Sequence, residues 1–199
     1  PEMPVSKSRV IETPNIARLA SVGMRFSAAY SPASGCAPTR ISLQTGKSPA
    51  QCHWTKAAGS VTEADGFKLI PPQNRRSIQS DETTIGELLQ SAGYTTAHFG
   101  KWHISGGGPE QHGYDESDGQ TMNAEGNKCP PDDPKLTFSL ARKTNDFIVR
   151  QVKEEHPFFV QVSFYANHLQ YMALPDTIKR YEERKDKATR YQNSALWAA

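Results

Sequence analysis

The stretch Thr84-Ile-Gly-Glu-Leu-Leu-Gln-Ser-Ala-Gly-Tyr-Thr-Thr-Ala-His-Phe-Gly-Lys-Trp-His103 decides the fold. Thr83 or Thr84 caps a helix over 85–92, Gly93 ends it, and 94–99 follows as a short strand. The strand gives way to loop at Gly100-Lys-Trp-His103. Helix, glycine, strand is the order of a layered α/β sheet. Downstream, 137–155 carries Leu140, Phe147, Ile148 and Val152 at helical spacing, and Pro157 closes that helix. Phe158-Phe-Val-Gln-Val-Ser-Phe-Tyr165 is then the strongest strand, and its near-continuous apolar character suits a sheet interior covered on both faces. Residues 176–187 read as a charged surface helix.

Upstream, Thr13-Pro14 caps a helix that stops at Gly23, with Ile16, Leu19 and Ala20 as its buried stripe. A short strand is expected over 24–30, a turn at Ser31-Pro-Ala-Ser-Gly35, and a second helix including 38–45 that places Cys36 just before its N-terminus. Residues 47–80 and 105–134 read as long irregular loops, which are uncommon unless functional or disordered. There is no internal repeat.

The composition bounds the function. The 199 residues carry 23 Lys+Arg and 21 Asp+Glu, a net charge of +2, with 36% hydrophobic residues. This is enough apolar content for a real core, and it excludes a polybasic arm or an acidic tail. Lys179–Lys187 mixes acids with its bases, so a nucleic-acid partner is not indicated. No apolar stretch reaches the length of a membrane span. The three cysteines, Cys36, Cys52 and Cys129, do not form a disulfide scaffold, although an oxidising compartment would allow a Cys52–Cys129 bridge with Cys36 left free.

Cys36, Lys101-Trp-His103 and His168 each follow an expected strand, and parallel sheets place their ligand sites at such strand ends. Taken singly, each is an ordinary residue; together they define a site. Arg40 lies four residues after Cys36, so a helix beginning here folds the guanidinium back over the cysteine while free backbone N–H groups point at an anion. The spacing does not suit a cysteine phosphatase, whose phosphate loop is longer. A thiolate nucleophile would also lack a nearby base in sequence.

Cys36-Ala-Pro-Thr-Arg40, continued by Ile-Ser-Leu-Gln-Thr45-Gly46-Lys47, resembles the Cys-x-Pro-x-Arg signature of the type I sulfatases, in the alkaline-phosphatase-like superfamily. Gly93 to His103 resembles that family's second signature, Thr13 to Gly23 its preceding helix, and Phe158 to His168 its pocket strand and histidine. The resemblance implies a mostly parallel central sheet flanked by helices, with residues 1–199 as part of a catalytic domain.

In that family the cysteine is oxidised to formylglycine by a formylglycine-generating enzyme. The hydrated aldehyde attacks sulfur, and its second hydroxyl then drives sulfate out as the aldehyde re-forms. By resemblance Cys36 is the nucleophile precursor and Arg40 holds the diol. Lys101 contacts the diol and a sulfate oxygen, and His103 assists elimination. His168 stands by the leaving-group oxygen. Lys101 and His103, two apart on an extended stretch, would face the same side. Lys47 would lend charge near the pocket, Thr45 is structural, and Trp102 is packing.

The family also implies a divalent cation, calcium rather than magnesium, held by hard oxygen ligands. Modified Cys36 is the one contact expected from this chain. The acid pairs that complete the site are expected outside it, in a missing first strand and a missing C-terminal portion, so that these residues alone would not turn over. Asp115, Asp118, Asp132 and Asp133 are read as solvated loop acids that do not match the ligand positions.

The expected activity is hydrolysis of an aryl or carbohydrate sulfate. The alternatives are a phosphonate or phosphate monoester hydrolase of the same superfamily, or a non-catalytic homologue that binds sulfated glycans. A periplasmic or secreted location is expected by resemblance.

Overall fold

A computed structural model describes residues 12–56, 68–69 and 73–183. Three parallel strands form its sheet, with β1 (Thr95–Gly100) between β2 (Glu116–Ser117) and β3 (Phe158–Ser163). β1 and β3 pair along their whole length, from Thr95 opposite Phe158 to Gly100 opposite Ser163. The helices are α1 (Pro14–Val22), α2 (Cys36–Thr45), α3 (Ile85–Ser91), α4 (Thr137–Lys153) and α5 (Pro175–Glu182).

Alternation along the strands creates two cores. Ala97, Phe99, Phe158 and Val160 face α4, where they pack with Leu140, Phe147 and Tyr165. On the other side Phe159 meets Ala37 and Ile41 of α2 together with Trp54, Trp102, Ile104 and Tyr114. The sheet is therefore covered on both faces, which is why β3 is apolar nearly throughout. α3 is held by a reciprocal cap: Glu87 N donates to Thr84 Oγ1 at 3.2 Å and Thr84 N to the Glu87 carboxylate at 2.7 Å. The Thr84 hydroxyl also donates to the His112 carbonyl at 2.8 Å, anchoring α3 to the loop before β2.

Several expectations are corrected. No strand forms over 24–30, since no neighbouring strand among the described residues lies alongside to pair with it. The stripe on α1 is not buried; Ile16 is 46% and Leu19 69% exposed. The segment 105–134 is not wholly irregular, because it contains β2 and short 3-10 turns at Pro109–His112 and Glu125–Asn127. A two-residue strand of Glu and Ser has no hydropathy signal; flanking carboxylates stitch it to β1. Asp115 accepts from Thr96 N at 2.8 Å, and Asp118 from Gly100 N at 2.7 Å.

Asp133 accepts the N–H groups of Phe138 and Ser139 at 2.7 and 3.1 Å, which satisfies two orphan donors at the start of α4. Three of the four loop acids are thus structural hydrogen-bond acceptors; Asp133 is buried and Asp118 half-buried, whereas Asp115 is exposed as expected. All three cysteines are free. Cys52 sits beside Thr45 Oγ1 at 3.4 Å and Cys129 donates to Met172 Sδ at 3.4 Å, so the two thiols have separate surroundings. Within the loop 47–80, residues 57–67 and 70–72 lie outside the described residues, as does the expected helix beyond residue 183. Among the described residues no helix is long and apolar enough to cross a membrane.

Candidate active site

The turn before α2 is built by small polar side chains. Ser31 Oγ lies 3.1 Å from Thr39 Oγ1, and both hydroxyls donate to the Ala33 carbonyl at 2.8 and 3.0 Å. Gly35 then enters as an extended N-cap with no capping side chain, leaving the helix amides at Cys36 without an internal acceptor. Cys36 is the first residue of α2 and is half-buried. Ala37 and Ile41 anchor the helix in the core, and Arg40, one turn after Cys36, donates from its guanidinium to the carbonyl of Lys101.

The exit of β1 is fixed as tightly. Gly100 takes φ +90°, and a Cβ there would strike the Ser163 carbonyl, so only glycine lets the two strands stay in register at this point. Lys101 N donates to that carbonyl at 2.8 Å. Thr121 Oγ1 accepts from Trp102 N at 2.9 Å and donates to Gly100 O at 2.5 Å, while His103 N donates to Thr121 O at 2.8 Å. Trp102 is packing, as read: its indole donates to Gly107 O at 2.9 Å and its ring stacks on His112. The stretch is not extended throughout, since His103 adopts φ +58°.

Cys36, Lys101 and His103 all lie within electrostatic reach of Arg40, and Lys101 and His168 act in turn on His103. Lys101 is only 3% exposed; burial and the neighbouring Arg40 pull its ammonium below the ordinary lysine value, partly offset by Cys36, which also hydrogen-bonds it. Burial, then Lys101, Arg40 and His168, push His103 down to about 4. His103 is therefore neutral near pH 7, and its buried Nδ1 has no hydrogen-bond partner among the described residues. His168 is exposed, and its Nδ1 meets the Leu169 carbonyl at 2.9 Å. A carbonyl can only accept, so Nδ1 is the donor and carries a proton. Two fixed cations beside an uncapped helix N-terminus make an arrangement complementary to a small oxyanion.

Five of the residues singled out in the sequence thus share one region: Cys36, Arg40, Lys101, His103 and His168. Lys47 is not brought to it. It follows the far end of α2 and pairs with Glu82. Thr45 is structural, its hydroxyl bonded to Ile41 O at 2.8 Å. The sequence reading missed His98 and Tyr165. His98 is fully buried in β1; burial and the Arg40 charge push it down to about 4. Tyr165 is buried at the end of β3, within electrostatic reach of Arg40, and burial raises its phenol. The available signal was strand alternation, which puts His98 on the face of β1 that meets α2.

Among the described residues no group of three or more His, Cys, Asp or Glu could hold a metal ion. Asp118 is taken by Gly100 N and Lys143, Asp115 by Thr96 and Gln90, and Asp133 by α4. The described residues therefore do not by themselves fit the calcium that the resemblance implies.

The family model "Sulfatase" matches residues 1–198. N-acetylgalactosamine-6-sulfatase of Sus scrofa is 30% identical over 188 residues, covering 79% of this chain and 35% of that protein. The ulvan-active sulfatase of Formosa agariphila is 27% identical over 186 residues, covering 85% of this chain and 33% of that protein. Among solved structures, Ps i-CgsB in complex with k-i-k-neocarrahexaose matches with a TM-score of 0.70 at 20% identity, covering 96% of this chain and 47% of that one, which is a likeness of fold. The chain spans about a third of the length of these two curated relatives. Because the family match runs through every element of the sheet, its helices and the strand-end site, the chain belongs to the sulfatase family.

Proposed function

We propose that the protein hydrolyses a sulfate monoester of a carbohydrate, with Cys36, after oxidation to formylglycine, as the nucleophile. The observation that carries this reading is that half-buried Arg40 and buried Lys101 both lie within electrostatic reach of Cys36, which Lys101 also hydrogen-bonds. A carbohydrate leaving group is suggested by the names of two relatives, which refer to N-acetylgalactosamine and ulvan, while the relatives named arylsulfatase A and arylsulfatase G keep an aryl sulfate as the alternative.

In this reading one oxygen of the hydrated aldehyde bonds to sulfur and the S–O bond to the sugar breaks, the electron pair leaving with the sugar oxygen. Loss of the proton from the second hydroxyl then re-forms the C=O bond and expels sulfate. Lys101 neutralises charge on the sulfate and the diol. Arg40 fixes the position of the diol through its anchorage to the Lys101 carbonyl. Neutral His103 accepts the second hydroxyl's proton, and His168 serves the leaving oxygen. Lys47 is left out, since it pairs with Glu82. Calcium, with modified Cys36 among its ligands, and a periplasmic or secreted location belong to the same proposal for the full-length protein.

The test is peptide mass spectrometry across Cys36 to Arg40 on full-length protein coexpressed with a formylglycine-generating enzyme. Turnover of matched sulfate and phosphate esters is measured alongside. Conversion of Cys36 with preference for the sulfate ester is expected. Preference for phosphate or phosphonate would assign the related hydrolase reaction, and an unmodified thiol beside a converted control sulfatase would assign glycan binding without turnover.

A further inference from the structure

Cys36, Arg40 and Gln44 follow at four-residue spacing and share one face of α2. The first two belong to the site; Gln44 lies two turns below Cys36 and is 2% exposed. Its amide nitrogen donates to Gln161 Oε1 of β3 at 2.9 Å, and its Oε1 accepts from the Tyr114 hydroxyl at 2.8 Å. Gln161 Nε2 donates to Ser163 Oγ at 3.4 Å, and Ser163 Oγ lies 3.2 Å from His98 Nε2. A polar chain thus crosses from α2 to β3 and on to β1. It runs through an otherwise apolar layer in which Trp102 and Tyr114 stand edge-on to the His98 ring.

Burying two primary amides is unfavourable unless they pair, and apolar side chains of similar volume would hold α2 on the sheet equally well. What the amide pair adds is direction, because a hydrogen bond between side chains fixes both the roll of a helix and its slide along its axis. Ser163 makes the reference common to both halves of the site. Its hydroxyl continues the chain from Gln44, and its carbonyl accepts the N–H of Lys101 at 2.8 Å.

We propose that Gln44 and Gln161 are positioning residues of the sulfatase site, their hydrogen bond setting α2 against β3 so that Cys36 and Arg40 stand opposite Lys101. This rests on Cys36 being the nucleophile precursor. A slip of about 1 Å at such a site is enough to cost up to about a hundredfold in rate.

The test uses the full-length protein with Gln161→Met alone and with Gln44→Leu, Gln161→Leu and Tyr114→Phe combined. The triple variant removes donors and acceptors together and leaves none of these three side chains unpaired. In the unmatured thiol form, alkylation of Cys36 by iodoacetamide is followed peptide by peptide, with Cys52 and Cys129 as internal references. In the matured form, kcat and KM are measured on a sulfate ester. Folded triple variant should alkylate Cys36 several-fold faster than wild type with the two reference thiols unchanged, and lose about tenfold in kcat at unchanged KM.

Wild-type alkylation of Cys36 in the folded variant would overturn the proposal. If the triple variant does not fold, Gln161→Met decides by the same readout, and loss of the fold in both would assign a purely structural network. A wild-type protein that turns over no sulfate ester would refute the hydrolase reading instead, and the alkylation rates would still decide the positioning role.

Discussion

The guanidinium of Arg40 donates to the main-chain carbonyl of Lys101, so the helix that presents Cys36 is tied to the peptide that presents the ammonium. A backbone acceptor cannot change rotamer, and Arg40 is therefore both a charge of the site and the strut that sets its width. Arg40→Lys keeps the charge but loses the planar fork. In matured full-length enzyme it should lower kcat/KM by about 10²- to 10³-fold, the usual effect of removing a fixed donor from an anion site. Steady-state kinetics beside a thermal melt will separate that loss from unfolding.

Thr121 is the second strut, since one hydroxyl accepts from Trp102 N and donates to Gly100 O. Thr121→Val preserves the shape and strands a buried N–H, so a loss of about 1–3 kcal/mol is expected in urea unfolding of the full-length protein. Thr121→Ser retains the hydroxyl and should recover most of it.

His98 makes the stability of the protein depend on pH. Its folded value is pushed down to about 4 from an ordinary 6.5, with burial the main cause. Below pH 6.5 the unfolded chain binds a proton that the folded one refuses. The stabilisation is therefore complete above that pH and is lost as pH falls toward 4. The full effect is of order 3 kcal/mol. His103 and His112 are shifted in the same direction, so the check is a difference. Between pH 6 and 4.5, His98→Asn should show a shallower fall of unfolding free energy than wild type, and an equal slope would refute the assignment.

The layered fold was legible because its signals are local. Thr84, Glu87 and Gly93 bracket α3, and Phe158 to Ser163 has the near-continuous apolar run, interrupted at Gln161, of a strand covered twice. The site was legible where a motif held it, at Cys36, Arg40 and the turn from Lys101 to His103. What escaped depends on partners distant in sequence. β2 exists because Asp115 and Asp118 reach β1, and the exposure of Leu19 reflects what does or does not pack on α1. Lys47 follows the Cys36 motif directly, yet eleven residues of helix and turn carry it to Glu82.

Gly100 gives the sharpest test of how the strand exit is built. It combines φ +90° with a carbonyl of Ser163 lying where a Cβ would go, so Gly100→Ala adds a conformational penalty to a backbone collision. The collision can be relieved only by moving β3 away from β1, which would break the donation from Lys101 N to Ser163 O and shift the ammonium. The expected outcome is a loss of at least about 2 kcal/mol in unfolding free energy, together with lowered kcat in whatever fraction remains folded. Chemical denaturation followed by activity per folded molecule measures both. A stable variant with normal kcat would show that the register of β1 against β3 does not set the position of Lys101.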